Sequence, residues 1–208
     1  MRRSVIYAVS AGALVGAGAL LVPLLAPAAS EDGAEASAVL RTADGTEVGH
    51  VAFESDDGAT TVDVELDVPD GATAAAAFHG LHVHANDDPA NGDGCIADPA
   101  QPADTWFTSA DGHLRHDDQV HGSHAGDLPP VDLDADGQGR AEFSSGRLTL
   151  DDLRGRAVVL HAGLDNLGNV PVGPGPEQYT PNTPAALDKT HATGNAGDRI
   201  ACGVVEEN

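Results

Sequence analysis

Lysine is almost missing from this sequence. Lys189 is the only one, and Lys and Arg together number 10 against 33 Asp and Glu, a formal charge of −23. That balance excludes nucleic-acid binding, which needs a basic footprint, and suits a highly soluble protein. Long apolar runs are scarce too. The one that exists lies at the start, in "MRRSVIYAVSAGALVGAGALLVPLLAPAAS", so no later segment offers a membrane-spanning helix. Amphipathic helical patterning of useful length, internal repeats, a Ser-His-Asp order and a glycine-rich phosphate cradle are all absent. Cysteine is limited to Cys95 and Cys202.

What is present begins with that first run. Arg2 and Arg3, the apolar stretch and the small-residue site Ala26-Pro27-Ala28 are the three parts of a secretory signal peptide over residues 1–28. The competing reading is an uncleaved anchor, because the run is nearly long enough to span a bilayer. Cleavage is expected, with a secreted or cell-envelope location, no membrane span afterwards, and a net charge of −25 once Arg2 and Arg3 are gone. Residues 29–37 read as a flexible acidic lead-in. The 180 residues after Ala28 suffice for a sizeable core. In an exported chain two cysteines are expected to pair.

The remainder reads as short strands separated by turns. "SAVLRTADGTEVGHVAFES" holds two runs around Ala43-Asp44-Gly45, and "ATTVDVELDV" alternates Val62, Val64 and Leu66 with Asp63, Glu65 and Asp67. That period of two marks a half-buried strand. "PDG" at 69–71 is a turn, "TAAAAFHGLHVHA" a further strand, "PVDLDADGQGRAEFSS" a hairpin around Asp136-Gly137, and "RAVVLHAG" and "RIACGVV" the closing strands. The hairpin matches the first half of a calcium-binding loop, but Phe143 stands where a bidentate Glu belongs. Many short strands argue for an all-β sandwich or barrel. Two long segments, 85–130 and 164–197, are expected to be functional loops.

Histidine carries the chemical signal. Of ten, seven fall in two clusters: His79, His82 and His84, then His113, His116, His121 and His124, closed by Asp127. A strand sends residues i and i+2 to one side, so His82 and His84 converge. His161 ends an apolar strand. Imidazole suits copper and zinc, and a carboxylate among imidazoles suits zinc better than a redox copper. Histidines and one Asp within fifteen residues fit a tetrahedral zinc site. The competing reading is a solvated His-rich loop.

The ordered set "HGLHVH", "SADGH", "HGSHAGDLP", "VVLHAGLDNLGN" and "TGNAGDRIACGVV" resembles the copper–zinc superoxide dismutase family, in its exported bacterial form. The resemblance extends from about Ala38 to Val205 and implies one domain over 38–206. It also implies an all-β, eight-stranded Greek-key barrel or sandwich with two long functional loops, and a Cys95–Cys202 disulfide. The implied activity converts superoxide to dioxygen and hydrogen peroxide by copper redox cycling. By resemblance, His82, His84, His113 and His161 are copper ligands, and His113, His121, His124 and Asp127 zinc ligands, with His113 bridging. Asp165 is implied to be the carboxylate linking a ligand of each metal. Arg199 is implied to be the cationic residue where the anion docks, and His113 to deliver a proton. His79 matches a structural position. The alternative is a non-catalytic copper-binding or copper-delivery module on the same fold, which the presence of Asp165 and Arg199 disfavours. The zinc loop departs from the pattern: fourteen positions separate His113 from Asp127, and His116 is an extra candidate.

Overall fold

The computed structural model describes residues 35–69, 77–167 and 184–208. The expected leader, most of the acidic lead-in and part of the turn at 69–71 lie outside them. Strands β1 (Ala36–Arg41), β2 (Glu47–Asp56) and β3 (Ala59–Asp67) form an antiparallel meander. They are followed by β4 (Ala77–His79), β5 (Leu81–His84), β6 (Val131–Leu133), β7 (Gln138–Ser145) and β8 (Ala157–His161), then β9 (Arg199–Val204) and β10 (Glu206–Glu207). The main sheet has eight strands in the order β5-β8-β9-β1-β2-β3-β7, with β10 on β1, and β4 pairs with β6 in a second sheet. Neighbours such as β3 with β7 and β5 with β8 are distant in sequence, so the connections cross in Greek-key fashion. β4 leads into β5 and β6 into β7, which ties the small sheet to both ends of the large one. The molecule is the expected all-β fold, an antiparallel curled sheet. β1 starts two residues before the expected domain boundary, because Ala36 and Ser37 pair with Glu207 and Glu206.

The alternation read in β3 is real: Thr60, Val62, Val64 and Leu66 are buried and their neighbours are partly exposed. With Leu40, Val51, Phe53, Leu133, Leu148, Leu153, Val158 and Leu160, the three apolar ones build the main core. β8 differs, being buried at every position. Val158 and Leu160 face the main core, while Ala157 and Val159 pack with Phe107, Ala110 and Cys202 beneath the loop that follows β5. Burial on both faces turns an alternating strand into a continuous apolar one.

Three expectations change. The segment "TAAAAFHGLHVHA" is not one strand, because the chain leaves one sheet for the other at Gly80. There Gly80 N–H donates to Gly163 O, and a Cβ would lie 2.9 Å from the Ala196 Cβ. The second long loop also contains a helix, α2 (Pro184–Thr193), besides the one-turn α1 (Leu150–Leu153) that Thr149 and Asp152 close with a capping box. α2 has the signals of proline in its first turn and glycine after its end, but no apolar stripe to betray it. The turn at Asp136-Gly137 is present, with Asp134 Oδ1 accepting the N–H groups of Asp136 and Gln138, but it closes no hairpin, because β6 pairs with β4 and β7 with β3 in separate sheets.

Cys95 and Cys202 are bonded, with Cα atoms 5.6 Å apart and a sequence separation of 107. Closing so long a loop restricts the unfolded chain by about 4–5 kcal/mol in the chain-entropy account. Peptide mapping without reduction is expected to find no free thiol. The double Cys95→Ser, Cys202→Ser variant should lose most of that stability in denaturant unfolding of metal-free protein.

Candidate metal centre

β5 answers why two histidines sit two apart. Leu81 and Val83 enter the main core, and His82 and His84 take the opposite face, fully buried beneath loops. The segment from Gly112 to Asp127 folds back along that strand. Ala85 N–H donates to Gly112 O, Leu114 N–H to Val83 O, and Val83 N–H to Gly126 O, all at 2.8 Å. A Cβ on Gly126 would stand 2.2 Å from Val83 O, so only glycine permits this approach. Isolated bridges thereby set His113 opposite His84 and Asp127 opposite His82. His161 arrives from the end of β8, where its N–H donates to Gly80 O.

Four imidazoles meet here. His82, His84, His113 and His161 place one ligand-capable atom each within 4.8 Å of one another, all buried. In each ring one nitrogen is already engaged. His84 Nδ1 bonds Asp111 O at 2.9 Å, His161 Nδ1 bonds Gly197 O at 3.1 Å, His82 Nε2 bonds Asp165 at 2.9 Å and His113 Nδ1 bonds Asp127 at 2.8 Å. The other four nitrogens, His82 Nδ1, His84 Nε2, His113 Nε2 and His161 Nε2, are buried with no hydrogen-bond partner. Four orphaned nitrogens cost far too much to be incidental, since each forgoes hydration without return. Burial pushes the pKa of His84 and His161 well below the imidazole value. Burial and the neighbouring His82 push His113 down to about 3. The rings are therefore neutral at physiological pH, with lone pairs free for a cation. The set fits a metal.

A second convergence adjoins the first. Asp127 Oδ1 lies 2.8, 3.1 and 3.2 Å from the Nδ1 atoms of His113, His121 and His124. Its Oδ2 accepts the N–H groups of Gly122 and His124. His82 also falls within 4.8 Å of His113, His121 and Asp127. His82 Nε2 is taken up by Asp165, whereas His124 Nδ1 lies 3.2 Å from Asp127 Oδ1. Asp165 joins the two groups, bonding His82 Nε2 through Oδ2 and His121 Nε2 through Oδ1 at 2.6 Å. Burial opposes ionisation of both aspartates, but the imidazole hydrogen bonds prevail and hold both carboxyls far below their usual range. Burial likewise opposes a charge on His121, yet hydrogen bonds to Asp127 and Asp165 raise it to about 9.

The His121 shift has a testable sign. In the metal-free protein His121 is protonated at neutral pH, and Nδ1 must lose that proton before it can bind a cation. Zinc binding at pH 7 is therefore expected to release a proton, and zinc affinity to rise with pH until about 9. Calorimetry in buffers of different ionisation heat measures both quantities. Zinc uptake with no proton release would contradict the arrangement.

Arg199, at the start of β9, is half-buried and donates to Phe107 O and Asp111 O, the latter at 2.6 Å. With His113, Thr193, Arg115, His116 and Arg156 it lines a cleft of about 940 Å³. His116 is half-exposed on that rim, 3.7 Å from Asp152, and outside both convergences. His79 is buried with Nδ1 on His161 O, a packing role. Sequence reasoning passed over four residues here. Thr193 joins Arg199 in the cleft lining. Gly194 packs so close that a Cβ would lie 2.0 Å from Asp165 Oδ1 and 2.2 Å from His121 Nε2. Arg147 donates to the carbonyls of Gly122 and Asp127, bracing the loop that carries His121 and His124. The fourth is Asp111. Only the glycine after a helix could have been flagged from sequence; the others depend on contacts between distant segments.

A curled antiparallel sheet that brings four imidazoles to one point, and three imidazoles around a carboxylate beside it, defines a protein with two adjacent groups of side chains able to hold metal ions. Comparison with known proteins narrows the class. Residues 47–205 match the family model for copper/zinc superoxide dismutase. A superoxide dismutase [Cu-Zn] of Mycolicibacterium paratuberculosis is 34% identical over 173 residues, covering 80% of this chain and 71% of the relative. One from Mycobacterium tuberculosis is 33% identical over 177 residues, covering 81% and 69%. An extracellular superoxide dismutase [Cu-Zn] of Brugia pahangi is 33% identical over 181 residues, covering 83% and 75%. The chain belongs to the copper/zinc superoxide dismutase family.

Proposed function

We propose that this chain is an exported superoxide dismutase in which His82, His84, His113 and His161 hold copper. His113, His121, His124 and Asp127 hold zinc, and His113 is common to both. The observation that carries the reading is the set of four buried, unpartnered ring nitrogens that converge on one point, with His113 also lining the cleft. Bound copper would supply a one-electron couple, and bound zinc a second positive centre that organises the loop.

The protein's own residues account for the rest. Two superoxide anions and two protons give one dioxygen and one hydrogen peroxide, so the site must admit anions, exclude other reductants and deliver protons. Arg199 has five N–H donors, of which two are spent on backbone carbonyls that fix the guanidinium. The rest are available to an anion entering the cleft. His113 is the proton carrier: Asp127 holds its Nδ1 side, so its Nε2 can take up a proton or give one away without the ring turning. Asp165 orients one ring of each group, which fixes tautomer and direction. Export is supported by the leader-like residues 1–28 and by the disulfide, which belongs in an oxidising compartment.

The test is metal content and dismutation rate of purified protein. Copper and zinc near one each with rapid turnover support the reading. Full copper without turnover would favour the copper-delivery alternative. Asp127→Ala is expected to lower zinc content and thermal stability while costing much less copper, measured by metal analysis and calorimetry. Equal loss of both metals would contradict separate sites.

A further inference from the structure

Asp111 ends a single helical turn with φ 63° and ψ −154°. Only glycine adopts that region without strain. A glycine is next in the chain, Gly112, yet the aspartate occupies the strained position. Its carboxylate gives the reason. Oδ2 accepts the backbone N–H groups of Asp87 and Asp88 at 2.7 and 2.8 Å, and Oδ1 accepts Asn91 Nδ2 at 2.7 Å. The carbonyl oxygen of the same residue accepts His84 Nδ1 at 2.9 Å and an Arg199 N–H at 2.6 Å. One oxygen thus sets the direction of an imidazole in the first group and of the cleft arginine. The flanking peptides are held as well, Asn86 N–H by Ala110 O and Ala85 N–H by Gly112 O.

We propose that Asp111 is a positioning residue: by pinning the segment 87–91, its carboxylate keeps the strained backbone that points one carbonyl at both His84 and Arg199. The inference rests on the roles of His84 and Arg199 proposed above. The carboxylate hydrogen-bonds neither of them; beyond its Coulombic attraction for Arg199, the positioning runs through the peptide between side chain and carbonyl.

Asp111→Gly separates this from a purely conformational role, because glycine accepts φ 63° freely but brings no carboxylate. If backbone shape alone mattered, the variant would match the parent. In metal-free protein, nitrogen NMR of the His84 Nδ1–H and the Arg199 guanidinium is instead expected to show solvent exchange faster by about tenfold, the equivalent of one lost net hydrogen bond. In metal-loaded protein the rate constant should fall by roughly five- to tenfold at unchanged copper content, from the same loss. Asn91→Ala removes one of three donors to the carboxylate and should shift the same signals the same way by less. Unchanged exchange in both variants overturns the proposal, and if Asp111→Gly does not fold, unchanged exchange in Asn91→Ala overturns it alone. Parent protein that loads both metals without turnover would overturn the functional reading instead, and the metal-free exchange measurement stands apart from that result.

Discussion

His161→Ala is expected to remove most of the bound copper and nearly all dismutation, while zinc content changes little. His161 Nε2 is one of four orphaned nitrogens at the first convergence and has no share in the second. Its ring is set by bonds from two directions, Nδ1 to Gly197 O and the backbone N–H to Gly80 O. Loss of an outer partner alone costs about 10- to 100-fold in metal affinity, so loss of a ligand should exceed that. The truncation also leaves His82 and His84 facing a gap in a buried, polar space. Metal analysis by mass spectrometry with a stopped-flow superoxide assay reads both effects. Normal copper in this variant would show that the fourth imidazole lies outside the copper site.

Arg199→Glu should lower the rate constant by about ten- to a hundredfold with copper content intact. The size follows from charge. Superoxide is an anion and the chain carries −23, so the mean field repels substrate. Salt confines that field to about 8 Å at physiological ionic strength, which leaves charges at the cleft in control. Two unit charges 4 Å apart attract by about 4 kcal/mol at an effective dielectric near 20. Solvent and the metal charge reduce that to the one to two decades given, at about 1.4 kcal/mol per decade. Burial pulls the guanidinium pKa down and Asp111 pulls it back up, but the group stays charged. Arg115 lines the same cleft, so part of the local positive field survives the substitution. The loss should shrink as ionic strength rises. Unchanged turnover at low salt with full copper would remove Arg199 from substrate guidance.

The parts of this molecule legible in its sequence are those governed by short-range pattern or by rare residue types. Val62, Val64 and Leu66 alternate because one sheet face meets the core, and a half-buried strand needs no other signal. His82 and His84 are marked by strand geometry, and the two cysteines by the leader-like start of the chain. α2 escaped because it has no apolar stripe, and the break at Gly80 escaped because its cause is a loop more than a hundred positions away, at Ala196. Arg147 and Asp111 share that difficulty. Each acts on backbone groups delivered by other segments, so nothing in its own neighbourhood announces it. The zinc loop lies between these cases. Its residues could be named from the sequence, but their convergence on Asp127 Oδ1 despite the short spacing needed the folded chain.

Anomalous diffraction at the copper and zinc absorption edges, on crystals of metal-loaded protein, tests the two-site arrangement most directly. The account expects a copper peak bounded by His82 Nδ1 and the Nε2 atoms of His84, His113 and His161. It expects a separate zinc peak bounded by Asp127 and the Nδ1 atoms of His113, His121 and His124. Both metals mixed at one position, or either peak lying away from these side chains, would contradict it.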